Sequence, residues 1–130
     1  MARLILDTTV LIAAERSGRT LDGMVGDGDD VVIASITAAE LLVGVHLADD
    51  ARRPDRAAFV DEILATIPTV DYDLDVARAH AKLLAHTRRT GSPRGAHDLI
   101  IAATAKTTTR IVVSADVGAF VDLPGVAHRP

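Results

Sequence analysis

Three short, unbroken apolar runs constrain this chain most: Leu4–Leu6, Val31–Ala34 and Ile111–Val113. A strand with one wet face alternates apolar and polar residues, whereas a strand covered on both faces is apolar throughout. The runs are rich in β-branched residues and too short for helices. They therefore read as buried strands of a parallel sheet with helices packed on both sides, an α/β arrangement. Further strands are expected at Thr66–Val70 and Val126–His128. Helices are expected near Thr9–Arg16, Arg19–Val25, Ile36–Ala48, Pro54–Ala65, Asp73–Thr90, Ala96–Lys106 and Val117–Val121. Pro68 cannot donate to a sheet ladder, which puts the third strand at an edge. Gly91, Pro93 and Gly95 punctuate a loop before the sixth helix.

With 130 residues, the expectation is one domain spanning 1–130. The aromatic residues are only Phe59, Tyr72 and Phe120, so the core must be aliphatic. There is no cysteine, which excludes disulfides and thiolate metal sites and leaves oxygen or imidazole as ligands. No window approaches the ~20 apolar residues of a membrane span, and the first apolar run is too short for a signal peptide. A soluble, cytoplasmic protein without a membrane partner is expected. The formal net charge of −4 counts mildly against nucleic acid as ligand. Against that, all but two of the 14 basic residues, Lys82 and Lys106, are arginine, which suits bidentate phosphate contacts.

Four acids fall where decoration is least expected. Asp7 directly follows the first strand, and Asp116 comes two residues after the fourth, past Ser114. Ligands of parallel α/β sheets bind at the carboxyl ends of strands. Asp98 opens an apolar helix, where the helix dipole favours an ionised carboxylate. Glu40 lies in Ile36–Ala48, a helix with no broad polar face that is expected to be buried. An unpaired carboxylate there would cost several kcal/mol. Thr37 and Gly44 on the Glu40 stripe are small enough to leave room for an ion and a substrate. Each acid also has a plain structural reading: Asp7 and Asp116 as helix caps, Asp98 as a first-turn acid, and Glu40 paired with Arg94. Together the four suit a hard divalent cation such as Mg²⁺ or Mn²⁺ and an in-line phosphoryl displacement.

The same residues carry a family likeness. Leu-Ile-Leu-Asp-Thr-Thr-Val-Leu-Ile-Ala at the start resembles the first motif of PIN domains. Residues 35–44 (Ser-Ile-Thr-Ala-Ala-Glu-Leu-Leu-Val-Gly), 97–105 (His-Asp-Leu-Ile-Ile-Ala-Ala-Thr-Ala) and 112–120 (Val-Val-Ser-Ala-Asp-Val-Gly-Ala-Phe) resemble the other three. Their order and spacing resemble VapC-type toxins, the ribonuclease halves of bacterial toxin–antitoxin pairs. The resemblance implies a three-layer α/β/α sandwich with a parallel sheet ordered 3-2-1-4-5. It implies a Mg²⁺- or Mn²⁺-dependent endoribonuclease with Asp7, Glu40, Asp98 and Asp116 as catalytic metal ligands and Thr9 and Ser114 as polar helpers. It further implies an RNA substrate such as tRNA or rRNA, a homodimer, and a VapB-like antitoxin whose tail blocks the site. The fourth motif often has Thr where this chain has Ser114, which keeps the hydroxyl.

Arg88, Arg89 and Arg94 flank the 91–95 loop and are candidates for phosphate contacts, against the alternative of a solvated basic loop. His97 beside Asp98 is either a substrate contact or a local structural residue. Asp27, Asp29 and Asp30 lack EF-hand spacing and read as a turn. With few aromatics for base stacking, recognition of RNA by shape and phosphate contacts is expected. Competing readings are a catalytically silent PIN-fold partner-binding module, a DNA or flap nuclease, and a phospho-receiver domain. The last needs a lysine after a late strand, and none follows Ile111.

Overall fold

A computed structural model describes residues 1–18 and 26–130. The expected helix at Arg19–Val25 lies outside the described residues. The strands are β1 (Arg3–Leu6), β2 (Asp30–Ala34), β3 (Thr69–Val70), β4 (Ile111–Val113) and β5 (Ala127–Arg129). The helices are α1 (Thr8–Ser17), α2 (Ser35–Leu47), α3 (Arg53–Thr66), α4 (Leu74–Thr90) and α5 (Ala96–Thr108). All strand pairs are parallel and the order is β3-β2-β1-β4-β5.

The unbroken apolar runs have the cause expected for them. Leu4 and Leu6 of β1 pack into one core cluster with Val10, Leu11, Val60 and Ile63, while Ile5 packs into another with Leu83, Leu99, Ile101 and Phe120. Alternate side chains thus serve opposite faces of one sheet, and Leu4, Ile5 and Leu6 are fully buried. Burying each such side chain contributes about 1.5–3 kcal/mol.

Helix ends follow local chemistry. The Asp73 carboxylate accepts the Val76 N–H at 3.0 Å and caps α4. Gly91, at φ 65°, closes the helix in the left-handed region that a side chain would strain. Asp29 bonds the N–H groups of Gly26 and Ala2, which fixes the 26–29 turn against the first residues of the chain, as the turn reading expects.

Three expectations need correction. The third strand is only Thr69–Val70, because α3 runs on through Thr66 and Pro68 then breaks the chain. Pro68 still serves the sheet as an acceptor, its carbonyl receiving the Ile33 N–H at 3.0 Å, and β3 is an edge strand. The expected helix Val117–Val121 is a single 3-10 turn over Val117–Ala119. Finally, α2 is not buried all round: Leu42, Val43 and Leu47 are 40, 52 and 81% exposed. Only one side of α2 finds sheet and neighbouring helix to pack on, so its outer apolar residues have no surface within the described chain to cover them.

Candidate active site

Parallel pairing of β1 with β4 sets Leu6 against Val113, and the Asp7 N–H donates to the Val113 carbonyl at 3.1 Å. The residues following the two strands therefore emerge side by side. Asp7 is 2% exposed and is the N-cap of α1. Its Oδ1 accepts the Val10 N–H at 3.2 Å and the Thr9 hydroxyl at 2.6 Å, and its Oδ2 accepts the Ser114 hydroxyl. Each hydroxyl has one proton to give and lone pairs to spare. Thr9 Oγ1 accepts the Ala115 N–H at 3.0 Å, and Ser114 Oγ accepts the Asp116 N–H at 2.9 Å. The two hydroxyls thus lock Asp7 and tie the turn that carries Asp116 to it. The capping reading holds for Asp7 alongside its place in the cluster. It fails for Asp116, whose side chain caps nothing.

Glu40 is not sealed in an apolar helix interior, as its sequence context suggested. Its side chain is 31% exposed. One carboxylate oxygen, Oε1, accepts the Thr8 hydroxyl at 2.9 Å, and Oε2 lies 3.4 Å from His97 Nδ1. The alternative pairing with Arg94 does not form. The Arg94 guanidinium donates instead to Ser92 Oγ at 2.6 Å and to the carbonyls of Ser92 and Val121 at 2.9 and 2.7 Å. It braces the 92–95 loop against the turn beyond Asp116. Thr37 is fully buried, so it does not line an opening, whereas Gly44 borders a groove with Glu40, Leu41, Ile12 and Val60.

Asp98 lies in the first turn of α5. Burial pushes its carboxyl above the ordinary range, and the charges of Asp7, Asp116 and Glu40 push it further, with His97 partly offsetting them. That response brings all four acids into one electrostatic neighbourhood. Gly95 leaves room for this carboxylate: a Cβ there would stand 3.0 Å from Asp98 Oδ2. Among the described residues, no lysine or arginine forms an ion pair with any of the four acids. Nor do three or more of the described His, Asp or Glu side chains already close into a coordination group. What ties the acids together is their common influence on Asp98, and like charges repel one another. An all-oxygen donor set with uncompensated charge fits a hard divalent cation.

Two residues at this site escaped or half-escaped the sequence reading. A threonine at a helix start, such as Thr8, carries no functional signal in sequence. For His97, sequence leaves a substrate contact and a local structural role open. Their common partner is Glu40, distant in sequence from both, and only a fold brings the three together.

An α/β/α sandwich with acids gathered at the carboxyl edge of a 3-2-1-4-5 parallel sheet defines a class of small nuclease folds. The chain belongs to the PIN domain family, whose model matches residues 4–125. It is 38% identical to ribonuclease VapC5 of Mycobacterium tuberculosis over 124 residues, covering 95% of this chain and 89% of that one. It is 32% identical over 95 residues to the tRNA(fMet)-specific endonuclease VapC of Salmonella typhimurium, covering 72% of this chain and 70% of the other. Among solved structures, the crystal structure of VapBC-5 from Mycobacterium tuberculosis, a member of the VapBC toxin–antitoxin family, superposes with a TM-score of 0.80. That match is at 30% identity and covers 98% of each chain. These relatives place the chain among VapC-type ribonucleases of toxin–antitoxin pairs.

Proposed function

We propose that the chain is a Mg²⁺- or Mn²⁺-dependent endoribonuclease, the toxin of a toxin–antitoxin pair, held inactive by a VapB-like antitoxin. One observation carries the reading. Asp98 senses Asp7, Asp116 and Glu40 together, and no described lysine or arginine neutralises any of the four. Mutually repelling acids without a lysine or arginine partner are costly unless a cation offsets them, which supports reading them as a functional cation site.

In this reading Asp7, Glu40, Asp98 and Asp116 hold the cation. When bound, a divalent ion supplies Lewis-acid stabilisation of phosphoryl charge and eases deprotonation of water. The chain's own residues do the positioning. Asp7 is held by three donors and keeps a fixed aim. Thr9 and Ser114 orient it and bring the Asp116 turn alongside. Arg94 supports the site through the loop it braces. The Salmonella relative is named as a tRNA(fMet)-specific endonuclease. With so few aromatics to stack bases, a structured RNA such as tRNA or rRNA is the substrate class we assign.

The antitoxin is seated along α2. Val43 and Leu47 follow Glu40 at three and seven residues, so they continue its stripe on the helix, and both are exposed. The adjoining groove is lined by Ile12, Leu41, Phe59 and Val60 together with Glu40. An amphipathic segment lying there covers apolar surface and reaches the acids. Among the described residues no helix is long and apolar enough to cross a membrane, and we assign the protein to the cytoplasm, where its RNA is. A homodimer is part of the same proposal, and light scattering of the isolated chain tests it.

The deciding experiment is cleavage of purified tRNA by the full chain with Mn²⁺ or Mg²⁺. Cleavage that EDTA stops and that Asp98→Asn abolishes is expected. A folded wild type that binds an antitoxin but cuts no RNA with either metal makes it a silent binding module instead.

A further inference from the structure

Glu40 is held differently from Asp7, and the geometry around it is specific. Asp7 is almost wholly buried and bonded by three donors, whereas the Glu40 side chain is 31% exposed and emerges from a helix face that also lines an open groove. On one side stands the like charge of Asp98. On the other, the groove is lined by Glu15, Arg16 and Arg56, and Arg56 is already paired with Glu15 at 3.2 Å. A glutamate has three rotatable torsions, so its carboxylate takes its position from its partners. Its two oxygens face partners from different elements: Oε1 accepts the Thr8 hydroxyl of α1 at 2.9 Å, and Oε2 lies within ion-pairing distance, 3.4 Å, of His97 Nδ1 on α5. Neither Thr8 nor His97 serves another described acid of the cluster through a hydrogen bond.

We propose that Thr8 and His97 form a two-sided clamp that keeps the Glu40 carboxylate in the acidic pocket and so sets the cation affinity of the site. Both are positioning residues that act through Glu40. The inference rests on the metal-nuclease reading above. It adds that the fourth ligand is held in place by its neighbours and is not fixed by its own burial. Partners that orient a metal-binding side chain carry a 10–100-fold effect on metal affinity or activity when removed.

The test is Mn²⁺ binding to the full chain, read from the electron spin resonance of the free ion, beside steady-state cleavage of tRNA. Thr8→Val keeps the shape and removes the hydroxyl. It is expected to weaken Mn²⁺ binding about tenfold and to lower kcat while leaving KM for RNA within about twofold. Thr8→Ser restores the hydroxyl and is expected to recover wild-type Mn²⁺ affinity, a rescue that a packing role for the threonine methyl would not give. His97→Ala, at a side chain 53% exposed, is expected to fold and to weaken Mn²⁺ binding in the same direction. Wild-type Mn²⁺ affinity in Thr8→Val overturns the clamp while leaving the nuclease reading intact. If circular dichroism shows Thr8→Val unfolded, unchanged affinity in His97→Ala overturns it equally. A wild type that binds no Mn²⁺ removes the metal reading itself, and the clamp with it.

Discussion

The Ser114 hydroxyl donates to Asp7 Oδ2 across 107 residues of sequence, joining the end of β4 to the start of α1. The bond exists because β1 and β4 are neighbours in the sheet, and it is what keeps a buried carboxylate aimed. Replacing Ser114 by Ala removes one charge-assisted bond to a buried acid and the acceptor for the Asp116 N–H. A loss of about 1.5–3 kcal/mol of stability is expected, with RNA cleavage reduced more than RNA binding. Urea melts and a kcat/KM comparison check both, and Ser114→Thr should stay near wild type.

Asp98 supplies a prediction about pH. Its carboxyl is pushed above its ordinary value of 3.8 by burial and by Asp7, Asp116 and Glu40. The folded chain therefore holds that proton more tightly than the unfolded chain does. The favourable contribution is complete below the unfolded value and is lost as pH rises through the raised folded value. In EDTA, Asp98→Asn should melt higher than wild type at pH 7, with the difference shrinking as pH falls toward 4. A mutant less stable than wild type at pH 7 would show that the charge is structurally compensated.

Asp7 and Asp116 should separate in stability although both are expected to be needed for cleavage. Asp7 is buried and caps α1, so Asp7→Ala should cost at least the about 0.5–2 kcal/mol of a lost cap. Asp116 caps nothing, and Asp116→Ala should leave the denaturation midpoint close to wild type. Chemical melts beside an RNA cleavage assay distinguish the two. Equal destabilisation would mean that the Asp116 turn contributes more to folding than its hydrogen bonds indicate.

Gly95 is required for space and not for backbone conformation, since its φ is −57°. In Gly95→Ala the new methyl would press on Asp98 Oδ2 from 3.0 Å. The carboxylate must give by a few tenths of an ångström, so cleavage should fall while the melting temperature moves little. Full activity would show that Asp98 has another productive orientation.

The outer face of α2 should matter for partner binding alone. Leu47→Asp places a charge on an 81% exposed site seven residues beyond Glu40 on α2. Antitoxin binding, measured by pull-down with the cognate partner, should weaken sharply, and cleavage by the free protein should be retained. Undiminished antitoxin binding would remove α2 from the interface.

Much of the fold was legible because burial on both faces leaves its mark in composition: Leu4–Leu6, Val31–Ala34 and Ile111–Val113 could be recognised as covered parallel strands from their lack of alternation. The edge position of β3 was legible from Pro68. Local pattern failed at α2, where an apolar helix was taken as buried on all sides. Sequence records that residues avoid water but not whether sheet, helix or another molecule covers them. It failed also at Val117–Val121, where so short a segment cannot sustain a helix without its own packing.

Motif spacing and residue chemistry were enough to identify the family, the parallel sheet and the four acids as candidates. What the acids do to one another was decided by the fold alone. Strand pairing puts Asp7 beside Ser114, and packing of α2 and α5 brings His97 to Glu40, while burial beside three like charges strains Asp98. Side-chain electrostatics depends on distances of a few ångströms, and those exist only once segments far apart in the chain have been brought together.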